Sequence, residues 1–241
     1  MILGLFASFT SCKQAPFVVG KIVTETRELP NFREVRLNDN INMSLVRSDT
    51  CYIEITTGDN IIGSITTNVE NGILTIRNTT TNDWTRPYDY ELHATLYYKD
   101  IRNFIFASSG TLDTKNQYND SNYNGVYRFE IDGGSGDVDL LVNDCETFYF
   151  VYQFGTSRAT LHGTNNGFLD IYKQSYGIFD AKDFKTVNTH VRSYYTADCY
   201  VNVSDSLSAE IYHVGNIYYK GNPANITETY GPIARGRLIK L

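Results

Sequence analysis

The side chains that could do chemistry in this chain fall into columns rather than motifs. Tyr152, Phe154, Tyr172, Tyr176, Tyr194 and Tyr212 recur at intervals of about 20 residues, with His190 and Arg192 among them. Aromatic rings presented in a column can stack on sugar rings or form a protein interface. The alternative is a ladder that stabilises neighbouring strands, as cross-strand pairs do.

A second column is Asp113, Asp139, Asp180 and Asp198, interrupted by Thr160 and ending at Tyr218. Carboxylates at strand spacing, roughly 4.8 Å, repel unless separated, hydrated or bridged by a cation. A Ca²⁺ site is the weak candidate there, and acids that simply solvate their corners are the plainer reading. The sequence places no Arg or Lys beside this column. His93, His162, His190 and His213 show no metal or triad spacing, and no nucleophile elbow, zincin, phosphate-loop or dinucleotide fingerprint occurs. No catalytic residue, metal or cofactor is therefore expected.

These columns need a scaffold that repeats. Ser135-Gly136-Asp137-Val138-Asp139-Leu140 aligns with segments around Gly110, Ser157, Gly177, Tyr195 and Gly215, a period of about 20 residues that falls in the range of solenoid coils. Upstream of these turns the sets Tyr149/Leu169/Val187/Leu207, Val151/Ile171/Thr189/Ala209 and Gln153/Lys173/Val191/Ile211 share one parity. They are expected to point inward, as are Ala159/Phe179/Ala197/Ile217 after the turn. The aromatic column then faces solvent.

Strands also dominate the first half. Lys21–Arg27, Glu34–Leu37, Ile41–Val46, Tyr52–Thr56 and Ile73–Arg77 alternate with period two, and Asn71-Gly72 is a hairpin signal. Polar loops are expected at 78–89, which carries Trp84, and at 115–124. The composition agrees: 19 Tyr, 13 Phe and 18 Gly in 241 residues favour strands and turns. A formal net charge of −6 offers no basic stripe for a phosphate backbone, so nucleic acid is not a partner.

Residues 1–12 read as an apolar export segment ending in Phe9-Thr10-Ser11-Cys12, too short to span a bilayer and without the basic residues that normally precede such a run, which points to a start upstream of Met1. The ending resembles a bacterial lipobox, which makes Cys12 the expected lipidation site and a lipid anchor the only membrane contact. Cys51, Cys145 and Cys199 remain; three cannot all pair, and buried free thiols are expected beside the alternative of one disulfide.

Glu25-Thr-Arg27-Glu-Leu-Pro-Asn-Phe32-Arg-Glu-Val35, Ile53-Glu-Ile55, Asp59-Asn60-Ile61, Val69-Glu-Asn-Gly72-Ile-Leu74-Thr-Ile76, the Gly-Ser-Gly turn at 134–136 and Tyr219-Lys-Gly221-Asn-Pro223 occur in order. This ordered set resembles the bacterial putative auto-transporter adhesin, head GIN domain family, common in Bacteroidota lipoproteins. The resemblance implies a right-handed, β-helix-like all-β fold and an envelope location, and supplies no catalytic residues.

The expected organisation is an export segment (1–12), a tether (13–19), an N-terminal β region (20–105), β-helical repeats (106–229) continuous with it as one elongated unit, and a tail (230–241). The expected function is a non-catalytic lipoprotein at the outer membrane and cell surface, or facing the periplasm, that adheres to a glycan or a surface protein. Two alternatives stand beside it: a lyase or glycosidase using surface acids on the coil, and an envelope scaffold.

Overall fold

The computed structural model describes residues 19–81, 90–120, 122 and 124–241; Cys12, Trp84 and nearly all of the tether lie outside them. Strands carry the described fold, and the helical element among these residues is one 3₁₀ turn, Ile62–Ser64. No helix of the described residues is long and apolar enough to cross a membrane.

Each coil lays one strand on a first parallel sheet, turns a corner and lays the next on a second. The first sheet runs β6 (Ile73–Asn78), β2 (Glu34–Asp39), β8 (Asn103–Ser108), β10 (Val126–Asp132) and β12 (Thr147–Phe154). It continues through the second halves of β13 (Ala159–Lys173), β14 (Phe179–Ser193) and β15 (Cys199–Ile211) to β17 (Asn225–Tyr230). The second sheet runs β7 (Leu92–Tyr98), β3 (Asn42–Arg47), β9 (Leu112–Thr114) and β11 (Val138–Val142). The first halves of β13, β14 and β15, then β16 (Ile217–Lys220) and β18 (Leu238–Lys240), complete it. The fold is an all-β solenoid, as the repeat period predicts. The stack extends past residue 229, because β18 pairs with β16.

Parallel stacking satisfies backbone groups above and below each strand, while alternation sends every second side chain inside. Phe104, Phe129 and Phe150 form an inner aromatic column, with centroids 5.1 and 5.8 Å apart. The coil that begins the chain is not the end of the stack: β2–β3 lies between β6–β7 and β8–β9. Beyond β7 the second sheet is closed by antiparallel β4 (Tyr52–Gly58) and β1 (Ile22–Glu28), and β6 by antiparallel β5 (Ile65–Glu70). The β5–β6 turn is Asn71-Gly72, with φ of 52° and 77°, the two positive values that a type I′ turn demands.

The polar stretch 115–124 is less of a surface loop than its composition suggests. Tyr118 and Asn119 are fully buried within it. Tyr118 packs edge-on against Tyr127, Phe129 and Phe148. Cys51, Cys145 and Cys199 are free and buried, and burial pushes the thiols of Cys145 and Cys199 up to about 12.

Candidate binding face

The corner where the late coils leave the first sheet gathers most of the aromatic candidates. Tyr194 stacks on Tyr212 with centroids 4.5 Å apart and planes 2° from parallel, and Tyr172 lies 5.2 Å beyond Tyr194 at 45°. A second ladder runs beside it. Tyr176 meets Tyr195 edge-on at 4.6 Å, their hydroxyls 3.2 Å apart, and Tyr195 lies over His213 at 6.0 Å. Tyr176 and Phe154 are 60% and 64% exposed, so their rings are open to a partner.

Behind the rings the outward positions carry a polar network. Arg192 donates to Asp170, and its guanidinium sits 5.5 Å from the centre of the Tyr172 ring. His190 bridges Glu210, at 2.8 Å from Nε2, and Asp170, at 3.7 Å from Nδ1. The Tyr212 hydroxyl donates to Glu210 at 2.7 Å. This hydrogen bond is the main influence holding the Glu210 carboxyl below the usual carboxylate range, and the same contact pushes the Tyr212 phenol up to about 12.

Tyr152 departs from the expected position. It is fully buried and donates its hydroxyl to the Ser157 carbonyl. The register explains why: Phe148, Phe150 and Tyr152 pair with Leu169, Ile171 and Lys173, so β12 is displaced by one residue from the sequence alignment. Every residue from Phe148 to Tyr152 is apolar or aromatic, so the alternation in sequence does not reveal its parity. Tyr149, expected inside, is 37% exposed. In β14 the slip is two residues, and Thr189, Val191 and Ser193 occupy the places expected of Val187, Thr189 and Val191.

The acidic column needs a related correction. Asp113, Asp139, Thr160, Asp180, Tyr200 and Tyr218 are in register, and Asp198 is not among them. Cys199, not Ala197, pairs with Phe179; Ser193 already pairs with Lys173, so the two-residue slip is set within β14 and carries unchanged through the Tyr194-Tyr195 corner. Asp198 instead accepts the Asn216 amide at 2.9 Å. Basic residues do stand beside the column. Lys115 lies 2.6 Å from Asp113, His162 3.2 Å from Asp139, and Arg158 and Lys182 2.9 and 3.1 Å from Asp180. Each acid therefore has a counter-charge or polar neighbour, and no group of three or more metal-ligating side chains occurs among the described residues.

Sequence reasoning also missed Ser44, whose hydroxyl donates to Asp113 at 2.7 Å and lies 3.2 Å from His93 Nε2. Here the serine stands between acid and imidazole. A nucleophilic serine needs the imidazole between itself and the acid, and Ser44 is buried. Burial also lowers the His93 imidazole from its ordinary value.

The model of the family described as putative auto-transporter adhesin, head GIN domain, matches residues 31–223. The chain belongs to this family. Solved structures resemble it in fold. A putative adhesin from Bacteroides fragilis superposes with a TM-score of 0.81 at 18% identity, over 92% of this chain and 97% of that one. One from Parabacteroides distasonis gives 0.64 at 17%, over 92% and 98%. A structure titled putative lipid binding protein, from the same organism, gives 0.64 at 15%, over 91% and 97%. No curated protein matches the sequence significantly.

Proposed function

We propose that this adhesin-family chain is a non-catalytic envelope lipoprotein, anchored through Cys12, that binds a glycan or a surface protein through its tyrosine corner. The observation that carries this reading is the pair of adjacent ladders, Tyr172–Tyr194–Tyr212 and Tyr176–Tyr195–His213. Rings fixed by one another lose little further entropy when a ligand stacks on them, which suits low-cost recognition. The acids of the corner are engaged by Arg192, His190 and Tyr212. That engagement favours recognition over acid–base chemistry, as does the family's adhesin description.

The test is a glycan array probed with wild type and with Tyr176→Ala/Tyr195→Ala, which removes the more exposed ladder. Binding that disappears in the variant while its circular dichroism is retained supports the reading; hits of undiminished intensity would place the ligand elsewhere. The anchor is tested by fatty-acid labelling of wild type and Cys12→Ala in cells. Equal incorporation would sink it.

A further inference from the structure

A second, unrelated cleft opens at the other corner, where the early coils return from the second sheet to the first. It is lined by the ends of β3 and the β7–β8 link (Arg47, Asp49, Lys99, Asp100) and by residues at the starts of β2, β8 and β12 (Arg33, Arg102, Glu146), with a volume of about 830 Å³. A groove of about 470 Å³ shares Arg33, Lys99 and Asp100 with it and runs on to Phe32 and the Asn71-Gly72 turn. Each has the size of a ligand site.

The charges in this cleft divide into two groups. Asp100 is held by Arg102 at 2.7 Å and Asp120 by Arg47 at 2.9 Å, which neutralises both acids and fixes both arginines. Arg102 is further held over the Tyr127 ring at 4.4 Å. The remaining cations are less engaged. Lys99 has no ion-pair partner among the described residues, and Arg33, its side chain 79% exposed, reaches Asp100 only at 3.8 Å. Arg47 Nε and Asp100 Oδ1, a donor and an acceptor, are buried without hydrogen-bond partners among the described residues. Asp49 and Glu146 add acceptors.

We infer that this cleft binds a carboxylate-bearing saccharide, a uronic or sialic-type sugar, with the carboxylate between Arg33 and Lys99. The exposed Arg33, only loosely paired, and Lys99 match one carboxylate, and charge-assisted bonds to it are the strong ones. The exposed acceptors Asp49 and Glu146 match the donors of ring hydroxyls. A polyanion such as nucleic acid would meet those same carboxylates at every phosphate, and a neutral sugar would leave both cations unused. This site is independent of the tyrosine corner, which lies on later coils.

Isothermal titration with trigalacturonate and with sialyllactose, each beside its methyl ester, tests the inference. At least one acid is expected to bind, its ester about tenfold or more weaker, and Arg33→Ala/Lys99→Ala to lose at least the same factor. Both side chains lie at the surface of the cleft, and an unchanged melting temperature verifies the fold. Binding that survives Arg33→Ala/Lys99→Ala but is lost in Tyr176→Ala/Tyr195→Ala would place the sugar on the tyrosine corner and overturn the inference. Equal affinity for acid and ester, indifference to the double substitution, or no binding of either acid at millimolar concentration would overturn it.

Discussion

Tyr194 and Tyr212, one coil apart, stack with their planes 2° from parallel and 4.5 Å between centroids. Each thereby offers the other a face that a ligand would otherwise use, so this pair contributes to the solenoid's own cohesion while its edges and hydroxyls remain outward. Recognition then falls chiefly to the exposed Tyr176 and its neighbour Tyr195.

If that division holds, Tyr194→Ala and Tyr212→Ala each weaken the late coils, and a double-mutant cycle in urea gives a coupling of about 0.5–1.5 kcal/mol. A coupling indistinguishable from zero would mean that the stack is incidental.

Glu210 makes part of this stability depend on acid pH. Its carboxyl is held low chiefly by the Tyr212 hydroxyl. A depressed carboxylate adds stability that is present above the unfolded value near 4.5 and lost as pH falls through the folded one. Tyr212→Phe is expected to move the Glu210 titration upward in carboxyl-detected NMR. The stability gap between the two proteins should narrow below pH 4.5. An unmoved titration would rule out the hydrogen bond as the cause.

Lys173 acts at the opposite end of the pH scale. It is fully buried and donates to the carbonyls of Ala197 at 2.7 Å and Ser175 at 3.2 Å, and burial brings its ammonium down to about 8. Below that pH the folded chain carries a charge that it shields from water. Between about 8 and 10.5 the unfolded chain holds a proton that the folded one has lost, so stability rises with pH, by roughly 3 kcal/mol over the whole window. Chemical denaturation from pH 7.5 to 9.5, below the ionisation of ordinary tyrosines, should show this rise in wild type relative to Lys173→Met. Parallel curves for the two proteins would contradict it.

At one corner two coils meet backbone on backbone. A Cβ on Gly136 would stand 1.8 Å from the Gly110 carbonyl oxygen. Gly136→Ala must therefore separate two coils, and a loss of about 3 kcal/mol or more is expected in urea. Gly63, where an added Cβ meets nothing within 4 Å, is the control and should change little.

The β class, the coil period and the Asn71-Gly72 turn were legible because they rest on local alternation and turn chemistry. Leu169 and Leu207 align in sequence and in space, yet Tyr152 does not follow its neighbours. A run that is apolar at every position has no readable parity, and corner lengths differ from coil to coil. The Arg33–Lys99 cleft left no trace in sequence. Its residues come from five separate segments, and their meeting depends on β6–β7 stacking outside β2–β3.

That order of stacking has a consequence for how the chain is wound. From β8 onward each coil is laid beside the one just made, so contacts such as His190–Glu210 close over 20 residues. The β2–β8 contact Glu34–Asn103 closes over 69, around the coil that goes to the other side. Long closures are slow. The N-terminal block is therefore the seed whose completion sets the pace, and the C-terminal coils zip onto it in succession. Pulse-labelled hydrogen exchange during refolding should find β2 and β8 protected together, before β17.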